Sequence, residues 1–224
     1  VFALNAATGS ETVLHSFTGG SDGAFPAASV IYHHGTLYGT TEGGQEEGEG
    51  TVFAVDATTG AEAVLVDFNS ANGSAPADGL LYNHGALYGT TTTGGQRSCC
   101  GVVFKVDPKT GIETVIYNFV SDNNNDGWDS TAGVINVDGM LYGTTFAGGI
   151  ANCFNGYTCG TIFRVDPKTG AEKVLYEFTG KQDQGQPLAG LIYVNGAFYG
   201  TTAGENVNAC ENHLGCGTVF KFVP

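Results

Sequence analysis

Apolar and polar residues alternate in short bursts along the whole chain, and no burst sustains the 3.6-residue stripe of a helix. Ala189 to Gly196 (AGLIYVNG), "AFYGTT" from Ala197, Gly50 to Asp56 (GTVFAVD) and Glu113 to Phe119 (ETVIYNF) show the two-residue period of strands. Val, Ile, Tyr, Phe and Thr dominate these runs, as β-propensity expects. Turn chemistry separates them: Asn195-Gly196, with counterparts His34-Gly35, His84-Gly85 and Asp138-Gly139, marks a tight hairpin. A "DPKTG" or "DATTG" stretch marks a second turn, and Pro108 and Pro167 sit there, where a missing N–H harms no ladder.

The same order recurs. Phe2, Phe53, Phe104, Phe163 and Phe220 mark one position, at spacings of 51, 51, 59 and 57 residues. Each repeat reads strand, Asn-Gly turn, strand, glycine-rich loop, strand, Thr-Gly turn, strand, which is a four-stranded antiparallel meander. A period near 50 residues with four apolar segments predicts a β-propeller blade. The fold class is therefore all-β, a propeller of four full repeats plus an extra terminal strand. We place residues 1–224 in one domain, with repeats at 1–26 (partial), 27–77, 78–130, 131–187 and 188–224 (partial).

Strands of the third type occur five times and the other types four times each. The segment Glu11 to Phe17 is expected to complete the blade that ends at Phe220, which leaves the strand near Phe2 over. Three arrangements follow: a four-bladed ring with a displaced strand, part of a larger ring, or pairing of the spare strand with another copy. The chain starts at Val1, inside a repeat, so either a leader has been removed or more chain lies upstream.

"LYGTT" returns at Tyr38, Tyr88, Tyr142 and, as "FYGTT", at Tyr199. It is expected to be packing signature more than ligand-reading edge. Gly39 would make room for an adjacent sheet, and the Thr40 and Thr41 hydroxyls would bond the following loop.

Composition changes the picture in three ways. Charged residues are 13% and glycines number 36, which suits many short strands joined by tight turns. Eight basic against 22 acidic residues give a formal charge of −14, so a nucleic-acid partner is not expected. No apolar run approaches the roughly 18 residues of a spanning helix, so no membrane insertion is expected within this segment.

The frame "GLIY.NG.LYGTT..GG…GTVF.VDP.TG.E.VLY.F" closely resembles the GloVer tandem repeat of secreted bacterial proteins. It is also similar, more distantly, to the kelch blade, where a Gly-Gly pair follows the second strand. The resemblance implies a propeller on an exported or cell-surface protein, and it carries no shared catalytic motif.

Six cysteines fit that setting. Cys153–Cys159 and Cys210–Cys216 share one spacing in equivalent loops, and lack the knuckles of a zinc site. Short-loop disulfides in an oxidising, extracellular or cell-surface location are the expectation. For Cys99 and Cys100, a vicinal disulfide and an intermolecular bridge are both open.

Candidate chemistry lies mainly outside the repeat frame. His34 and His84 read as turn residues, His33 precedes a turn, His15 replaces a strand residue and His213 lies in a cysteine loop, so none builds a triad. Asp56, Asp107 and Asp166, and Glu11, Glu62, Glu113 and Glu172, recur in every blade and read as structural. Glu42, Glu46, Glu47 and Glu49 are non-repeated acids in a glycine-rich loop, the candidates for a carbohydrate-active enzyme. Asp122, Asn124, Asp126 and Gly127 match the opening of a calcium loop. Gly133 stands where the bidentate Glu belongs, with Asp129 as a substitute. Other repeats carry similar turns without needing a metal. Trp128, the only tryptophan, fits either sugar stacking or a plug between blades. Asn72-Gly73-Ser74 is a formal glycosylation sequon. The leading expectation is a non-catalytic scaffold or interaction module that self-associates through edge strands. A glycan-binding propeller is the alternative.

Overall fold

The computed structural model describes residues 1–44, 49–121, 126–149, 158–204 and 217–224, and every regular element among them is a β-strand. Three complete antiparallel meanders follow one another. The first joins β3 (Ile31–His33), β4 (Thr36–Thr41), β5 (Thr51–Asp56) and β6 (Glu62–Asp67). The second joins β7 (Leu81–Asn83), β8 (Ala86–Thr90), β9 (Val102–Val106) and β10 (Glu113–Asn118). The third joins β12 (Ile135–Val137), β13 (Met140–Thr145), β15 (Thr161–Val165) and β16 (Glu172–Glu177). A two-stranded sheet of β1 (Phe2–Leu4) and β2 (Glu11–Val13) precedes them, and a three-stranded sheet of β17 (Ile192–Val194), β18 (Ala197–Thr202) and β19 (Thr218–Phe222) follows.

The repeat order read from the sequence is thus the observed order, but the ends differ from expectation. Segment Glu11 to Phe17 does not complete the blade of Phe220. Instead β2 pairs with the supposedly spare β1, with Phe2 opposite Val13 and Leu4 opposite Glu11. Among the described residues β19 pairs only with β18, so its outer edge is open and no ring closure is seen.

Local chemistry explains the hairpins. His34, His84, Asp138 and Asn195 have φ of 47° to 52° and are each followed by a glycine at φ of 82° to 88°. Two successive positive φ values match the right-handed twist of the flanking strands. At the second turn the Asp56 carboxylate accepts the amides of Thr58 (2.9 Å) and Thr59 (2.7 Å). These bonds hold its pKa below the ordinary value. Each complete sheet also carries a bulge between its third and fourth strands, at Val52/Phe53, Val115/Tyr117 and Ile162/Phe163, which adds twist.

The "LYGTT" strand is packing machinery, with two corrections, at Gly39 and at Thr40, whose hydroxyl does not bond the following loop. A Cβ on Gly39 would lie 2.5 Å from Phe53, its register partner in the same sheet, and Gly89–Phe104 (2.5 Å), Gly143–Phe163 (2.6 Å) and Gly200–Phe220 (2.5 Å) repeat this. The glycine admits its own sheet's phenylalanine ring. An adjacent sheet is not what fills that space. The last threonine of the motif bonds across its sheet: Thr41 Oγ1 accepts the Thr51 amide at 3.1 Å and donates to Gly43 O at 3.1 Å. The threonine before it reaches the next sheet, as Thr40 Oγ1 donates to Asp78 O (3.0 Å) and Thr90 Oγ1 to Ala132 O (2.9 Å).

Successive sheets bury apolar faces against each other. Tyr38, Val52 and Val66 meet Leu80, Leu87, Phe104 and Val106, and the next two boundaries repeat the pattern. Burying a Phe or Leu side chain stabilises by about 1.5–3 kcal/mol.

Candidate functional site

A recurrent backbone contact closes the first three boundaries between successive sheets. The Thr-Gly turn of one sheet abuts the fourth strand of the sheet before it. Cβ positions on Gly60, Gly111 and Gly170 would lie 2.3, 2.8 and 2.6 Å from the carbonyl oxygens of Leu14, Leu65 and Ile116. Two residues on from each glycine, a glutamate at the start of the fourth strand faces the preceding sheet's linker. Glu62 meets His15 and Asp22, which are 3.7 Å apart. Glu113 accepts from Asn72 Nδ2 at 3.4 Å. Glu172 meets Asp126, whose carboxylate accepts the Tyr117 hydroxyl (2.9 Å) and the Val120 amide (2.9 Å).

These glutamates are held away from water, and each buries one oxygen, Oε1, with no hydrogen-bond partner. Burial pushes all three carboxyls above the ordinary range. The charge of Asp126 adds to burial at Glu172, which is pushed up to about 7. The sequence shows these glutamates as recurrent and structural, but their facing of a polar linker one repeat earlier was missed. The available signal was the pairing of Tyr117 with Asp126 and Tyr176 with Asp183 at similar offsets.

At the two terminal sheets the apolar faces are bare. Phe2 is 65% and Val13 61% exposed on the first sheet, whereas Phe53, equivalent to Phe2, is 1% exposed. On the last sheet Ile192 is 61% and Val219 81% exposed, whereas Val52, equivalent to Val219, is fully buried. Beside the first sheet lies an open groove of about 440 Å³ lined in part by Phe2, Val13, His15 and Phe25.

The sequence-predicted sites fall as follows. Asp122 and Asn124 of the calcium loop lie outside the described residues. The Asp126 carboxylate is buried and taken up by Tyr117 and Val120, and burial raises the Asp129 carboxyl. Among the described residues no group of three His, Cys, Asp or Glu side chains gathers as for a metal. Trp128, with Gly127, forms the short strand β11 (Gly127–Trp128), paired with β14 (Ala147–Gly148), and packs half-buried against the second core cluster. Cys99 and Cys100 are bonded to each other, with Cys100 buried. Cys159 is buried in a disulfide, while Cys153, Cys210 and Cys216 lie outside the described residues. Of the non-repeated acids, Glu46 and Glu47 lie outside the described residues, Glu42 is half-buried, and Glu49 accepts from the Ser70 hydroxyl. His33 stacks on Tyr82 with ring centroids 3.8 Å apart.

No helix is long and apolar enough to cross a membrane among the described residues. No curated protein matches the sequence. Among solved structures the chain is similar to a putative 6-phosphogluconolactonase from Bacteroides uniformis. That match has 14% identity and a TM-score of 0.51, covering 99% of this chain and 62% of that one. It is also similar to an oligogalacturonate lyase in complex with manganese (15%, TM-score 0.51, covering 93% and 54%). TolB from Acinetobacter baumannii is more distant (16%, TM-score 0.42, covering 85% and 41%). The chain thus spans less than two thirds of each of these proteins, and at such identities the likeness concerns the β-propeller fold alone. The description of the Gloeobacter/Verrucomicrobia repeat matches residues 1–155 and 100–224. This all-β chain of propeller sheets belongs to the Gloeobacter/Verrucomicrobia repeat family.

Proposed function

We propose that this chain is a non-catalytic interaction module of an exported bacterial protein, working through its terminal sheets to assemble with further propeller sheets. The observation that carries the reading is the exposure of Phe2 (65%) and Val219 (81%), whose equivalents Phe53 and Val52 are buried between successive sheets. Contiguous exposed apolar surface of this kind marks interaction sites. The Cys99–Cys100 and Cys159 disulfides support an extracellular or cell-surface setting. A scaffold role is supported by the way the polar residues of the repeat are consumed: the Thr41, Thr91 and Asp56 side chains serve turns and strand pairing.

Sedimentation of the purified chain over a range of concentrations tests this. Concentration-dependent growth in mass is expected, and a strictly monomeric species at every concentration would count against it.

A further inference from the structure

We propose that the Cys99–Cys100 disulfide is a reducible latch on the boundary between the second and third complete meanders, and that a dithiol opens it. The inference goes beyond the interaction-module reading and does not depend on it.

One residue bridges each of three successive sheet boundaries as a backbone strut. Between the first and second meanders it is Ala75, whose amide donates to Glu49 O (2.7 Å) and whose carbonyl accepts the Thr92 amide (3.2 Å). Between the second and third it is Asp129, whose amide donates to Cys100 O (3.2 Å) and whose carbonyl accepts the Phe146 amide (2.9 Å). Between the third meander and the last sheet it is Gln186, whose amide donates to Cys159 O (2.7 Å) and whose carbonyl accepts the Ala203 amide (2.9 Å). The three struts have φ of 53°, 59° and 55°. A non-glycine residue stays in that left-handed region only where its surroundings hold it there, so each strut depends on both of its bonds.

The residue that anchors the strut's amide immediately precedes the glycine that leads into the third strand: Glu49 before Gly50, Cys100 before Gly101 and Cys159 before Gly160. Two of these three anchors are cysteines in disulfides. A bond between adjacent side chains closes a ring through the peptide that joins them, so the Cys99–Cys100 disulfide restrains the backbone that presents Cys100 O. Other support for that carbonyl is slight, since the Cys100 and Gly101 amides share one acceptor, Gly94 O, at 3.3 and 3.1 Å. Trp128 adjoins the strut and packs half-buried, together with Cys99, on one core cluster. Release of the strut therefore reaches the indole.

Exposure selects the sulfur that is attacked. Cys99 is partly exposed and Cys100 only 1% exposed. A dithiol's thiolate attacks Cys99 Sγ, the Cys99–Cys100 bond breaks, and Cys100 Sγ leaves as a thiolate that takes up a proton. The reductant's second thiolate then displaces Cys99 Sγ, which is protonated in turn, and the reductant departs as a cyclic disulfide. Two electrons have passed to the protein, the ring through the peptide is open, and Asp129 loses its fixed anchor.

Amide exchange followed by NMR, with Trp128 emission, tests the latch, because each strut is a separate readout. Dithiothreitol, with reduction of Cys99 and Cys100 verified by alkylation, should speed Asp129 amide exchange by about tenfold. It should also shift Trp128 emission to the red, and reoxidation should reverse both changes. Cys99→Ser leaves Cys100 in place as a thiol. That variant should show the fast Asp129 exchange without dithiothreitol while Gln186 stays slow. The Ala75 amide, anchored on Glu49, should stay slow in every sample. Four outcomes overturn the proposal: a Cys99–Cys100 bond that dithiothreitol leaves intact in the folded chain, unchanged Asp129 exchange once both cysteines are alkylated, a Cys99→Ser chain with a slow Asp129 amide, or equal acceleration of Ala75, which marks loosening of the whole fold.

Discussion

Asp126 accepts the Tyr117 hydroxyl at 2.9 Å and stands with it against Glu172 of the following sheet. Three groups that prefer water are thereby gathered at a boundary between sheets. Glu172 has an ordinary carboxyl pKa of 4.5 when solvated and is pushed up to about 7 in the fold, by burial first and the Asp126 charge second. Between those values the folded chain keeps a proton that the unfolded chain has released. The contribution of Glu172 to stability is then full at low pH, falls as pH rises through this window, and levels off above it.

Glu172→Gln should flatten that profile, raising stability above neutral pH by about 1–2 kcal/mol after allowance for partial exposure. Urea unfolding of both proteins at about pH 5 and about pH 8 measures it. An unchanged difference between the two pH values in the variant would place the titration elsewhere.

Gly89→Ala should destabilise the second meander by about 1–3 kcal/mol, since the new methyl meets the Phe104 ring. Adding Phe104→Leu should recover part of that loss, because the two changes share one space. The double-mutant cycle in thermal or urea unfolding checks it; strict additivity would mean that the ring and the glycine are not coupled.

Thr91→Val should cost about 1–3 kcal/mol, leaving the Val102 amide without its acceptor (3.1 Å) and removing one of the two donors to Thr93 O, which keeps the Ser74 amide. Thr91→Ser keeps both bonds and should lose much less. Equal losses for the two variants in urea unfolding would show that the hydroxyl contributes nothing there.

Trp128→Phe should lower stability by roughly 1–2 kcal/mol through lost packing against the second core cluster. Wild-type emission from this lone indole should be blue-shifted relative to unfolded chain. A glycan array separates the readings: specific saturable binding abolished by this change, with unfolding unaffected, would favour the glycan-binding alternative.

Calcium should leave the thermal midpoint unchanged, because the Asp126 carboxylate is already bonded to Tyr117 and Val120. A midpoint that rises with calcium and falls with chelator would restore the loop of Asp122, Asn124, Asp126 and Asp129 as a cation site.

Strand order and turns were legible because their signals are local. An Asn-Gly pair fixes a hairpin within two residues, and an aspartate caps amides two and three residues on. What escaped depends on partners distant in sequence. The space above Gly39 is filled by Phe53, which only the cross-strand register brings there. The Glu172 environment depends on Asp126, one repeat earlier. The end sheets misled because a repeat frame assigns each strand a type without choosing between two candidates of the same type, here β1 and β19.

The pairing of each glycine with a phenylalanine ring of its own sheet has a consequence for how such chains lengthen. Everything that sets the spacing inside a sheet is inherited with one stretch of about 50 residues. Duplicating or deleting one whole stretch leaves the remaining Gly–Phe pairs intact, and only the boundary contacts need to be re-formed between equivalent residues. Gene-level gain and loss of whole repeats is therefore mechanically cheap, whereas a cut within a sheet separates a ring from the only residue that makes room for it.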